Sequence, residues 1–232
     1  MGWAVSGGLG AFALTLRPAL AAQPVPIPQG PMRLSRRIER YLADGRRLAV
    51  AREWEVTFTR GGRGIALAGR QLSARVDAPG DLAPVAQVEE GRSTAGMWPI
   101  LLAPEGTIFA AGDGLEGNDP AALALRLERV IAEQRLSPAQ AERQRAVFAE
   151  LRGLGRTLLA NLPEDLFYPR GEPIRRSGDM TFPGDLTGSF ELVYLALPAA
   201  GRPWLGEAMR EIVTRVGDDE RRARESWRMA PA

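Results

Sequence analysis

Apolar residues recur at every second position from Met32 onwards, the spacing that places them on one face of a β-strand. The alternation predicts a first strand over about residues 32–42 and a second over about 48–58. Between them lies Asp44-Gly45, a dipeptide typical of two-residue hairpin turns. This part of the chain therefore predicts an antiparallel meander.

A glycine-rich turn at residues 60–64 leads into a predicted third strand. Its inward-facing residues are expected to be Leu72, Ala74 and Val76. A short helix is then expected at about Leu82–Glu89, and a second hairpin should turn at residues 104–106, where proline and glycine flank a glutamate.

Two helices are predicted in the middle of the chain, where the apolar spacing changes from two to three and four. The first covers about residues 120–135 and starts with a proline at its first position. The second covers about 138–162, and Ser137 with Gln140 forms the pattern of a capping box at its start. Together they are expected to form a helical hairpin inserted between the strands.

The last third of the chain returns to strands. Two apolar rows alternate in one of them, so both of its faces are expected to be covered: Phe190, Leu192 and Tyr194 in one row, and Val193, Leu195 and Leu197 in the other. The final stretch 220–229 carries four arginines, and its apolar residues are spaced by two. We interpret it as a strand whose arginines face water, rather than as a basic arm for nucleic acid.

These elements predict a single α+β domain over residues 32–232. Its core is a curved antiparallel sheet of about eight to ten strands around the inserted helical hairpin. A half-barrel is one form that such a curved sheet takes.

Residues 1–21 are typical of a secretory signal peptide, since an apolar stretch ends at Ala19-Leu20-Ala21. Residues 22–31 form an extended, proline-rich lead-in. We expect a periplasmic protein with no integral membrane segment after removal of the leader.

Composition narrows the chemistry. The chain has no histidine and no cysteine, and all 30 basic residues are arginine, while its net charge is only +2. Catalysis by Ser-His-Asp or Cys-His groups is therefore excluded, as are a zinc site of the usual ligands and a lysine-dependent phosphate loop. We expect no cofactor, no metal and no nucleic-acid partner.

Residues 112–120 contain a glycine pattern resembling that of nucleotide-binding loops. Gly112, Gly114 and Gly117 match G-x-G-x-x-G, but acidic residues within 112–120 would repel a pyrophosphate. The same oxygen-bearing side chains are compatible with a calcium ion, although their spacing fits no standard calcium loop. A capped connector before the helix is the interpretation that the sequence favours.

Six aromatic residues are the candidate ligand-binding set: Trp54, Trp98, Phe148, Phe190, Tyr194 and Trp227. They line a cavity for an apolar ligand such as a lipid, or they fill the core of the domain. The favoured function is non-catalytic binding of an apolar ligand or of another envelope component. The alternatives are a carboxylate-dependent hydrolase acting on an envelope polymer, and a structural or assembly factor.

Overall fold

The structure of the protein is a computed structural model. It describes residues 24–42, 44–62, 64–112, 120–133, 136–155, 161–182, 186–217 and 219–232. The predicted leader over residues 1–21 lies outside these ranges. So does all of the glycine pattern in 112–120 except its two terminal residues.

Nine strands form one antiparallel sheet in the described chain. Their bounds are β1 Met32–Tyr41, β2 Arg47–Gly61, β3 Gly64–Asp77, β4 Ile100–Leu102, β5 Ile108–Ala111, β6 Ile174–Phe182, β7 Leu186–Pro198, β8 Leu205–Val216 and β9 Asp219–Pro231. The order across the sheet is β5-β4-β3-β2-β1-β9-β8-β7-β6, so the first and last strands pair at its centre. The sheet is not closed, because β5 and β6 lie at opposite edges.

Three α-helices lie within the described ranges: α1 Ala83–Glu90, α2 Pro120–Glu133 and α3 Pro138–Gly155. The capping box at the start of α3 is present, because the backbone N–H of Ser137 donates to the Gln140 side chain at 3.0 Å and the return bond measures 3.4 Å. The sequence placed the end of this helix at residue 162. Residues 156–160 are outside the description, and the structure is irregular from Asn161. None of the described helices is long and apolar enough to span a membrane.

The third strand differs from expectation in one respect. Leu72 was expected to face inward, but its side chain is 39% exposed. In the pairing of β2 with β3, Glu53 lies opposite Ser73 and Trp54 opposite Gln71, so Leu72 is an extra residue in a β-bulge. A bulge changes which residues of the strand face inward. Leu67 before it and Ala74 after it therefore share a face despite their odd separation.

The inner face of the sheet, which carries Leu34, Trp54 and Trp227, is covered by apolar packing. One cluster surrounds the two tryptophans and includes Phe167 from the irregular segment 161–170. A second cluster joins β2 to side chains of α1, α2 and α3, through Val85, Leu127 and Ala141 respectively. The opposite side of the sheet is called the open face below.

The arginine-rich final stretch is a strand, as predicted. On β9, Trp227 and Met229 are buried on the inner face. The side chains of the other parity are exposed on the open face: Arg222, Arg224, Ser226 and Arg228. Two of these arginines lie within 3.5 Å of Glu211 on β8, which is the cross-strand pairing expected of a solvated sheet face.

Candidate functional site

A groove of about 670 Å³ crosses the open face of the sheet. Its lining comes entirely from strands β1, β2, β3, β7, β8 and β9, and no described segment outside the sheet contributes to it. Grooves of this volume fall within the range of small-molecule sites in proteins. We call it the open-face groove.

One side of the open-face groove is apolar. It is formed by Leu195 and Leu197 of β7 and Met209 of β8. Met209 is 59% exposed and Leu197 is 39% exposed. The sequence predicted that this second apolar row of β7 would be covered, and for Leu197 that prediction is wrong. An apolar surface left uncovered within a groove is typical of a binding site.

The other side of the open-face groove is polar and carries more positive than negative charge. Three arginines and two glutamates have exposed or half-buried side chains in the groove: Arg37, Arg75, Arg228, Glu53 and Glu207, the last directly opposite Leu197 on the neighbouring strand. Arg36 and Arg52 also line the groove, but their side chains are buried towards the inner face. Arg37 lies 3.0 Å from Glu39, and Arg228 lies 3.7 Å from Glu207. Arg75 is exposed and forms no ion pair with any residue of the described ranges.

Three buried charges lie side by side on the inner face, behind the groove. The side chain of Glu225 on β9 accepts a hydrogen bond from Arg36 of β1 at 2.5 Å and another from Arg210 of β8 at 2.7 Å. All three residues are at least 95% buried. One carboxylate thus bridges two guanidinium groups across three neighbouring strands, an arrangement we call the buried charge triad.

A fourth buried charge connects the sheet to helix α1. Arg52 of β2 donates to the backbone carbonyl oxygens of Glu89 and Arg92, at 2.6 and 3.0 Å. These carbonyls lie at the C-terminal end of α1, where unpaired acceptors and the negative end of the helix dipole favour a cation. Arg52 therefore fixes the end of α1 against the sheet.

Burial changes the titration of Arg36, Arg52 and Glu225 without removing their charges at neutral pH. Desolvation lowers the pKa of Arg36 to about 10, although Glu225 opposes the shift. Desolvation and the charge of Arg92 likewise lower the pKa of Arg52 to about 10. Burial alone would raise the pKa of Glu225, but the two arginines outweigh it and lower that pKa below its usual value. Arg36, Arg52 and Glu225 are therefore ionised over the physiological range.

The aromatic residues predicted as a ligand-binding set lie in different surroundings. Trp54 and Trp227 stack with ring centroids 6.2 Å apart inside the first apolar cluster, and neither is more than 2% exposed. The indole N–H of Trp54 donates to Thr94 at 2.8 Å. Trp98 lies flat against Gly69, where a Cβ atom would come within 2.2 Å of its ring. The side chain of Phe148 is not among those described.

Phe190 and Tyr194 are the two predicted residues that line a common space. They form one wall of a second cleft, of about 340 Å³, between the inner face of β6–β8 and segment 161–170. Tyr194 is 3% exposed, and its hydroxyl is buried without a hydrogen bond of normal geometry. Burial, together with the nearby Asp165 carboxylate, raises the pKa of this hydroxyl above its usual value.

Replacing Tyr194 with phenylalanine should leave the free energy of unfolding at pH 7 unchanged or slightly higher. The substitution removes a buried hydroxyl whose polar neighbour, the Asp165 carboxylate, does not meet it in normal hydrogen-bond geometry, so the loss of about 0.5–1.5 kcal/mol expected for a well-paired hydroxyl should not occur. The pH dependence supplies a second test. A raised folded-state pKa means that the unfolded chain loses this proton more readily, so wild-type stability should fall as the pH rises above about 10.

Urea unfolding of both proteins at pH 7 and pH 10.5 measures both effects. The Y194F protein should lose less stability between the two pH values. A large loss at pH 7 would show that the hydroxyl has a partner that this structure lacks.

The buried charge triad and the groove were both missed at the level of sequence. The triad has a detectable signal, since each member occupies an apolar position of an alternating strand. Arg36 follows Leu34 and precedes Ile38, and Glu225 precedes Trp227 with the same spacing of two. The sequence signal for the groove is the second apolar row of β7, and such a row is equally typical of a strand face that other parts of the protein cover.

Comparison with known proteins adds no functional information. No protein-family model matches the chain, and no curated protein gives a significant match. Within the described ranges, no three aspartate or glutamate side chains converge in a way that could hold a metal ion.

Proposed function

We propose that the protein is an exported binding protein whose open-face groove takes a small amphipathic anion, such as a fatty acid. The observation that carries the proposal is the exposed apolar side of the groove facing an arginine-rich side. The apolar part of the ligand lies on Leu197 and Met209, and its acidic head lies towards Arg75.

The apolar side supports an acyl chain through ordinary hydrophobic burial. Covering the exposed area of Met209 and Leu197 removes apolar surface from water at about 25 cal/mol per Å². An open groove also lets a chain enter without movement of the packed inner face.

The charges of the groove support an acidic head. The guanidinium group of Arg75 is exposed and has no ion pair among the residues that the structure places, so binding a carboxylate breaks no existing pair. Ser73 beside it adds a hydroxyl, which is also 3.3 Å from Glu53. Guanidinium groups recognise carboxylates well because two parallel N–H groups match two oxygens.

Export, the curvature of the sheet and the helical arrangement are parts of the same proposal. Residues 1–21 carry the apolar stretch and small-residue pattern of a cleavable leader, which supports a periplasmic location. A half-barrel form of the sheet and the packing of α2 and α3 as a hairpin fit a binding scaffold. The intact mass of protein purified from the envelope fraction tests export, since cleavage after Ala21 removes a defined mass.

Titration calorimetry with decanoate tests the binding function. In M209E, a carboxylate lies against the acyl chain, so the affinity should fall at least about tenfold, equivalent to about 1.4 kcal/mol. The matched control is L125E, since Leu125 on α2 is 68% exposed and lies outside the groove. Its decanoate affinity should equal that of the wild type.

A second variant tests the orientation of the ligand. Arg75 on β3 lies four strand spacings, about 19 Å, from Met209 on β8, so a longer acid, hexadecanoate, is used for this test. R75Q should lower the affinity for hexadecanoate by about two- to fivefold, the range of an exposed ion pair, and should leave the affinity for hexadecanol unchanged. Equal losses for decanoate in M209E and L125E would contradict the location. Absence of decanoate binding to the wild-type protein would contradict the proposed ligand class.

A further inference from the structure

The two edges of the sheet differ in how well they are protected. Strand β5 has four residues, and its Ile108 N–H is already bonded to the Glu164 carbonyl at 2.8 Å. Strand β6, at the other edge, has nine residues, and no described segment pairs with its outer side. A long unpaired edge is a template on which another strand can form a ladder.

The charges of β6 are complementary to those of a second copy of the same strand. Arg175, Ser177 and Asp179 are exposed on the open face, and neither charged residue has an ion pair within the ranges that the structure covers. We propose that β6 pairs antiparallel with β6 of a second copy of this chain, about a two-fold axis at Ser177. The occupant of this edge is thus the protein itself.

The two-fold axis fixes the register. Centring the pair on Ser177 places Arg175 opposite Asp179 of the second copy, and the symmetry repeats this pair on the other side. Arg176 then lies opposite Gly178, which has no side chain to collide with it. Cross-strand neighbours of opposite charge stabilise a ladder.

Three other registers also place the open faces of both copies on the same side of the combined sheet, but none of them forms the two Arg175–Asp179 pairs. Centring on Arg176 would place two arginines opposite each other, and centring on Asp179 would place two aspartates together. Like charges directly opposite destabilise a strand pair. Centring on Gly178 would form no Arg175–Asp179 pair. The Ser177 register therefore carries the only double ion pair among these four, and in it the two open-face grooves lie on the same side of one continuous sheet.

A single cysteine tests both the pairing and its register. The chain has no cysteine of its own, so the only disulfide that S177C can form joins two copies. Residues directly opposite in an antiparallel ladder have Cα atoms about 4.5–5.5 Å apart, which is within the span of a disulfide. We expect S177C to form a covalent dimer under mild oxidation, at least about tenfold faster than S73C, whose cysteine would lie on β3 far from this edge.

Charge exchange tests the ion pairs separately. In sedimentation velocity over about 1 μM to about 1 mM, the dimer dissociation constant should rise at least tenfold in R175D and in D179R. The double variant R175D/D179R restores opposite charges across the axis and should recover wild-type dimerisation. The control is R33D, which makes the same charge change at an exposed position on the central strand β1.

Three results would overturn the proposal. One is a wild-type protein that stays monomeric at every concentration. Another is cross-linking of S177C no faster than that of S73C. The third is a double variant that dimerises no better than R175D or D179R alone.

Discussion

The E225Q protein should lose about 3–5 kcal/mol of its free energy of unfolding relative to the wild type at pH 7. The carboxylate of Glu225 is the shared partner of Arg36 and Arg210, and all three groups are buried. Glutamine keeps the volume but removes the negative charge that the two buried guanidinium groups share. Urea unfolding monitored by circular dichroism measures the difference.

The control for this prediction is E211Q. Glu211 lies on the neighbouring strand β8 and also faces two arginines, Arg222 and Arg224, but its side chain is 34% exposed. Solvent screens such pairs, so the loss should be about 0–1 kcal/mol. Equal effects in E211Q and E225Q would contradict the buried triad.

The pH dependence of the free energy of unfolding tests the same buried ion pairs. The folded-state pKa of Glu225 is lower than its unfolded value, so the triad contributes its full stability only above the unfolded pKa of about 4.3. As the pH falls through and below that value, the wild type should lose stability faster than E225Q. The difference between the two proteins should therefore narrow in acid. If the free energies of unfolding of the wild type and E225Q differed by the same amount at pH 7 and at pH 3, this prediction would be contradicted.

The W227A protein should lose about 3–5 kcal/mol, the range for removing a large aromatic side chain from a core. Trp227 is 2% exposed, stacks on Trp54 and carries the Arg36 guanidinium 4.8 Å from its ring centre. Its loss leaves a cavity at the centre of the sheet, where β1 and β9 pair. Denaturant unfolding measures the loss.

F109A is the matched control, because Phe109 is an aromatic residue of the same sheet that is 65% exposed. Its stability should stay within about 0.5 kcal/mol of the wild type. A loss in W227A no larger than that in F109A would show that the tryptophan pair is not packed as the structure has it.

The strands and turns were largely predictable from the sequence, because alternation and turn residues act locally. The Asp44-Gly45 turn joins β1 to β2, with Gly45 at a φ of +80° that suits glycine. Leu72 was not predictable in the same way, since a one-residue bulge leaves the composition of a strand unchanged. Its position follows from the pairing with β2, which the sequence does not show.

The candidate site was harder to predict, because it depends on strands distant in sequence. Arg36 and Glu225 are 189 residues apart and meet only because β1 pairs with β9. The open-face groove likewise combines Arg75 of β3 with Met209 of β8, which are separated by three strands across the sheet. Periodicity assigns each residue to a face, but it does not determine which strands are neighbours or whether a face is covered.

Site mapping with a photoactivatable fatty acid tests the central claim most directly. The wild-type protein is labelled with a decanoate analogue that carries a diazirine in its chain, and the labelled peptides are identified by mass spectrometry. We expect labels on β7 and β8 around Leu197 and Met209, and competition by unlabelled decanoate. Labels confined to Phe190, Tyr194 and segment 161–170 would place the ligand in the inner-face cleft and contradict the open-face groove.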